Sequence, residues 1–154
     1  MAHVLAEDAK AYYNLTSTYG GTGTYGTPDW DEMTLLKDVT LNLDKDEVDL
    51  SVRASGGFKE FADGLIDGNV ELSMLYDTSD AAFNDLQEAF LNKTEIEVAI
   101  MDGDITTTGS QGLRVTCMVK SFSRSETLGE ALMASFTLRP RKNTNAAPAW
   151  YTVP

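Results

Sequence analysis

The stretch Tyr-Gly-Gly-Thr-Gly-Thr-Tyr-Gly-Thr-Pro-Asp-Trp at residues 19–30 contains Gly21, Gly23 and Gly26 at the G-x-G-x-x-G spacing of phosphate-cradling loops. Such a loop works where a strand ends and a helix begins, because the helix N-terminus offers free N–H groups and the positive end of its dipole to the anion. Here the string runs into Thr27-Pro28-Asp29-Trp30 and then into strand-like alternation, with no helix to receive a phosphate. The kinase variant needs a following strand that carries a lysine. Its nearest echo, Val98-Ala99-Ile100-Met101, has methionine at that place. The glycines read as a loop, and no nucleotide or other cofactor is expected.

Acids cluster at residues 44–49 (DKDEVD) and around Asp102 and Asp104, but neither cluster follows the calcium-loop spacing. Val48 and Thr106 stand where oxygen ligands belong, and no Glu falls at the twelfth position. His3 is the only histidine and Cys117 the only cysteine, so a Ser–His or Cys–His pair lacks a base and a disulfide lacks a second thiol. Cys117 also falls on an apolar strand face. Glu47, Asp49, Glu71, Glu95 and Glu97 occupy polar strand positions, where paired carboxylates could cleave glycosides, although a solvated face is the simpler reading. No metal site, catalytic residue or enzymatic activity is expected.

The elements that must position these residues are mostly strands. Apolar and polar residues alternate seven times: over 9–16, 39–43, 47–53, 70–76, 95–100, 113–120 and 132–139. Each segment therefore has one core face and one polar face, as in antiparallel sheets covered on one side. One segment has helical spacing instead, with Ala82, Phe83, Leu86, Ala89 and Phe90 on a single stripe and Thr78 or Ser79 as cap, which predicts a helix over about 78–91. The expectation is a mainly β, antiparallel sandwich or barrel carrying one α-helix. A single domain over 1–154 is expected, with an extended loop at 17–31 and an irregular tail at 140–154. That loop is long for a plain connection and carries Tyr19, Tyr25 and Trp30, which a solvated linker does not need.

Charge adds a constraint. Twelve Lys and Arg against twenty-four Asp and Glu give a net −12, the wrong sign for a freestanding nucleic-acid binder. The distribution is uneven, at −16 over residues 1–112 and +4 over 113–154. The C-terminal part owes its sign to Arg114, Lys120, Arg124, Arg139, Arg141 and Lys142. A molecule with one acidic and one basic region can attract copies of itself. There is no membrane-length apolar run and no secretory leader pattern at the N-terminus.

Read from Lys10 to Leu138, the order of segments resembles the tail tube proteins of long-tailed phages. "AKAYYN" resembles their first strand, followed by an extended loop. "WDEMTLLKDVTLNLDKDEVDLSVR" resembles the lead into two successive strands. "GFKEFADGLIDGNVELSMLYD" with "TSDAAFNDLQEAF" resembles the strand that runs directly into the single helix. "IEVAIMDGD" resembles the strand after it, and "GLRVTCMVKSFSRSETLGEALMASFTLRP" the closing hairpin.

The resemblance implies a non-catalytic structural subunit that forms rings of six and stacks them into a tube within the virion, assembled in the host bacterial cytoplasm. It implies as partners further copies of the chain, a tape measure protein and tail-tip or terminator proteins, with DNA passing through without specific binding and no membrane involved. On that reading the loop aromatics Tyr19, Tyr25 and Trp30 anchor assembly. The acids Glu47, Asp49, Glu71, Glu95 and Glu97 are candidates to face the channel, and the six C-terminal cations to meet an acidic neighbour. Tubes of contractile phages, type VI secretion and extracellular injection particles use related rings, which the sequence does not separate. A carbohydrate-binding β-sandwich is the alternative of another class, with a secreted parent as its expectation.

Overall fold

The computed structural model describes residues 6–14, 30–141 and 149–153. One continuous sheet of eight antiparallel strands organises them: β1 (Lys10–Asn14), β2 (Asp31–Glu32), β3 (Leu36–Asp49), β4 (Phe61–Leu75), β5 (Glu95–Met101), β6 (Gln111–Ser125), β7 (Met133–Pro140) and β8 (Ala149–Thr152). Their order is β2-β1-β5-β6-β7-β4-β3, with β8 alongside the first residues of β6. A single helix, α1 (Ala81–Asn92), connects β4 to β5.

The two ends of this order, β2 and β3, are only three residues apart in sequence, so the sheet has to curl back on itself. It does not close. Among the described residues no ladder joins β2 or β1 to β3, and a cavity of about 420 Å³ lined by Lys10, Ala11, Glu32, Leu36, Asp38 and Val39 occupies the seam. The expected barrel is thereby corrected to an open, curled sheet with one helix. The reason is local: β2 spans two residues before the chain leaves for β3, too few to carry a closing ladder.

The inner face holds the core. Val70, Leu72 and Met74 of β4 meet Ala134, Phe136 and Leu138 of β7, Val115, Cys117 and Val119 of β6, Ile96 and Val98 of β5, and Ala11 and Tyr13 of β1. Helix α1 seals this face with Ala82, Phe83, Leu86 and Ala89 at 3.6-residue spacing. Asp80 caps it by accepting from the Phe83 N–H at 3.2 Å. Phe83 lies edge-on to Tyr76, Phe122 and Phe136, with centroids 4.9, 6.0 and 6.1 Å away. A smaller cluster of Tyr12, Ala99, Met101, Ile105 and Val153 covers the outer face of β1 and β5, with Trp30 and Tyr151 packed against it.

Two segments depart from the alternation reading. The pattern at 39–43 and the first three residues of that at 47–53 form parts of one strand, β3, which ends at Asp49, and its partner β4 starts nine residues before the alternation does. Within the tail expected to be irregular, Ala149–Thr152 form β8, paired with Gln111–Arg114.

Candidate assembly surfaces

Cross-strand partners share a face, so the ladders define what the outer side of β3-β4-β7 presents. Pairing of Asp38 with Ser73, Thr40 with Glu71 and Asn42 with Asn69 on β3-β4, and of Glu71 with Thr137 and Ser73 with Ser135 on β4-β7, makes it polar throughout. Ser121 and Ser123 of β6 extend it opposite Thr137 and Ser135. Asn42 donates to Asn69 at 3.1 Å, and Arg139 donates from one nitrogen to both oxygens of Asp67 at 2.7 Å. That contact, with the Gly68 N–H second, holds Asp67 below the usual carboxylate range. This face is acidic, with Asp38, Asp44, Asp67 and Glu71 exposed on it.

The same four strands end in two open edges. Among the described residues β3 is the last strand of the sheet and pairs only with β4. β6 pairs with β5 through Met118 and with β7 onward to Ser125, so residues 119–125 have no described strand on the side β5 occupies. Rows of backbone donors and acceptors on such edges are templates for another strand.

A third surface was not expected. β4 meets β7 only from Val70 onward, so its residues 61–69 pair with β3 alone and carry a two-stranded arm about 30 Å past the body. Leu43, Val48, Leu50, Phe58, Leu65 and Ile66 are exposed along it. An apolar surface of this extent on a polar protein marks an interaction site.

The sequence-derived candidates scatter over these surfaces. Glu71 lies on the polar outer face, while Glu47 and Asp49 lie on the arm. The Asp49 carboxylate accepts from the Ser51 N–H at 2.8 Å, which draws it below its ordinary range. Glu95 is exposed and pairs with Arg141 at 3.2 Å. Glu97 is buried, against the expectation of a solvated position, because the second cluster covers the outer face of its strand. The cations are largely engaged within the chain. Arg124 pairs with Glu126 and lies over the Tyr76 ring, Arg139 pairs with Asp67, and Arg114 is buried with its guanidinium 5.8 Å from the Tyr151 ring. Lys120 is exposed near Asp67. Trp30 packs half-buried on its own chain. Tyr19, Tyr25, Lys142, His3 and the glycine string lie outside the described residues.

No group of three or more His, Cys, Asp or Glu that could hold a metal exists among the described residues. Burial pushes the Cys117 thiol up to about 12, which removes it as a nucleophile at neutral pH.

No protein-family model matches the chain, and no curated protein matches its sequence. Solved structures do share its fold. The SPP1 tail tube superposes with a TM-score of 0.74 at 11% identity, over 97% of this chain and 80% of that one. The tail of a gene transfer agent particle, refined with C6 symmetry, gives 0.69 at 13% identity over 98% and 100%. The six-fold symmetrised baseplate of the anti-feeding prophage gives 0.61 at 7% identity over 99% and 98%. The chain has the tail-tube fold.

Proposed function

We propose that this chain is a structural subunit of a phage or prophage-derived tail tube, assembling into six-membered rings that stack around a channel for DNA. The observation that carries the reading is the pair of open edges, β3 and residues 119–125 of β6, at opposite margins of a four-stranded sheet with a polar outer face. Six copies joined edge to edge turn those margins into a closed barrel, which leaves neither of these two edges unpaired. The heterologous contact closes because the rotation between copies is cyclic. The fold shared with the SPP1 and gene transfer agent tails supports the same arrangement.

In the ring, the polar face turns toward the channel and α1 faces away from it. Glu71, with Asp38, Asp44 and Asp67, then repels phosphates and keeps DNA moving, whereas a basic wall would hold it. Of the acids named from sequence, Glu71 is the one assigned to the channel; Glu47 and Asp49 belong to the arm. Glu71→Lys leaves rings intact and retards DNA passage, and unchanged passage contradicts the assignment. The arm reaches the next ring and buries its apolar residues there. A tape measure protein inside the tube and tail-tip or terminator proteins at its ends complete the particle, and the chain resides in the virion.

Negative-stain electron microscopy of the purified chain across a concentration series tests this reading. Rings or hollow tubes are the expected outcome. Single particles at every concentration contradict self-assembly.

A further inference from the structure

Glu97 has no place in the assembly surfaces, yet its environment is unusual. It is 3% exposed, and neither of its carboxylate oxygens has a hydrogen-bond partner among the described residues. On β1 its register partner is Asn14, and on β6 it is Thr116, both neutral and both buried. Along its own strand Glu95 adds a like charge, partly met by Arg141 at 3.2 Å. Arg114 lies one row along β6, opposite Ala99, with its guanidinium over the Tyr151 ring of β8. Lys10, at the far end of β1, pairs with Glu32 and Asp104. Asp102 on the loop after β5 accepts from the Gln111 N–H. No cation among the described residues comes within 4 Å of the Glu97 carboxylate.

An ionised carboxylate buried without donors is among the costliest arrangements a protein can hold, and protonation is the usual relief. We propose that Glu97 is a proton-gated latch on β1: as a neutral acid it keeps β1, β5 and β6 packed, and on ionising it loosens β1 from β5. β1 is the strand that yields because of its attachments. β6 is held on both sides, whereas among the described residues the outer edge of β1 is met only by the two residues of β2, at Tyr12 and Tyr13, and by the Met33 N–H, which donates to the Ala11 carbonyl oxygen at 3.0 Å. Asn14, opposite Glu97, is the last residue of β1, so opening of the β1–β5 ladder from that end reaches the carboxylate first.

Burial, with the Glu95 charge second, raises the Glu97 carboxyl from its ordinary value to about 7. The folded chain therefore binds this proton more tightly than the unfolded chain does. The contribution is fully present below the ordinary carboxylate range and is lost as pH rises toward 7. Across that window the folding equilibrium constant falls on the order of a hundredfold from this group alone. The latch operates whether or not the chain assembles.

Two measurements on the full chain test the latch. In a carbon-13 NMR titration the Glu97 side-chain carboxyl is expected to have its midpoint near neutrality; a midpoint in the ordinary carboxylate range overturns the proposal. Amide hydrogen exchange, corrected for its intrinsic pH dependence, is expected to show protection of β1 falling at least tenfold from pH 6 to 8.5, with Glu97→Gln abolishing that fall. Equal falls in both proteins overturn the latch. Should Glu97→Gln not fold, the titration midpoint of the unaltered chain alone upholds or overturns it.

Discussion

The two halves of the β3–β4 pair are one ladder with opposite fates. At its body end, β4 buries Val70, Leu72 and Met74 at 0–1% exposure under the helix and β7. At its arm end, the same strand leaves Leu65 and Ile66 at 80% and 71% exposure. Both halves pair with β3, and only the body half is also paired on its other edge, with β7. They differ in whether the chain itself covers the apolar row. A hairpin alone is at best marginally stable in water. The arm is held by continuity with the packed body, and its apolar side chains gain burial only from another molecule. The body thus stores the stability of the fold, and in the proposed assembly the arm stores part of the free energy of association.

That contrast can be broken by substitution, and stability should respond in a fixed order. Phe83→Ala empties the centre of the aromatic cluster and is expected to cost about 3–5 kcal/mol, read from urea denaturation; a cost near zero would mean that the helix is not the lid of the core. Gly112→Ala comes next. A Cβ there would collide with the Ile100 carbonyl oxygen, so the β5–β6 ladder must shift at a cost of about 1–3 kcal/mol, visible as a lower denaturation midpoint. Asp80→Ala removes the side-chain cap of α1 and should cost about 1 kcal/mol; Asp80→Asn should recover most of it. The combined change of Phe58, Leu65 and Ile66 to Ser sharpens the comparison from the other side. Each site is exposed, so stability should move by less than about 0.5 kcal/mol per residue, while ring stacking observed by electron microscopy should fail. Intact tubes from that variant would remove the arm from the interface.

Much of the body was legible in the sequence because one chain supplies both faces of each contact. Alternation at 70–76, 95–100, 113–120 and 132–139 coincides, to within one residue at an end, with parts of β4, β5, β6 and β7, and the apolar stripe from Ala82 to Phe90 falls within α1. The arm was not legible. Asp-Lys-Asp-Glu at 44–47 lacks β-formers and reads as a turn, as do Asp63-Gly64 and Asp67-Gly68. In the ladder those glycines are required, since a Cβ at Gly64 or Gly68 would meet the Asp46 or Asn42 carbonyl oxygen at 2.7 or 2.5 Å. The burial of Glu97 was hidden for a different reason. Alternation gives the face of β5 on which it lies, but Tyr12, Ile105 and Val153 come from distant segments to cover the strand beside it. The openness of the sheet rests on the brevity of β2, a two-residue strand that no pattern announces.

The central claim is that β3 of one copy pairs with residues 119–125 of β6 in the next, with the polar face turned inward. Electron cryomicroscopy of the assembled chain tests it most directly. The account predicts a hollow tube in which those two edges form a continuous ladder and Glu71 and Thr137 line the channel. A tube with both edges unpaired, or with α1 facing the channel, would contradict it.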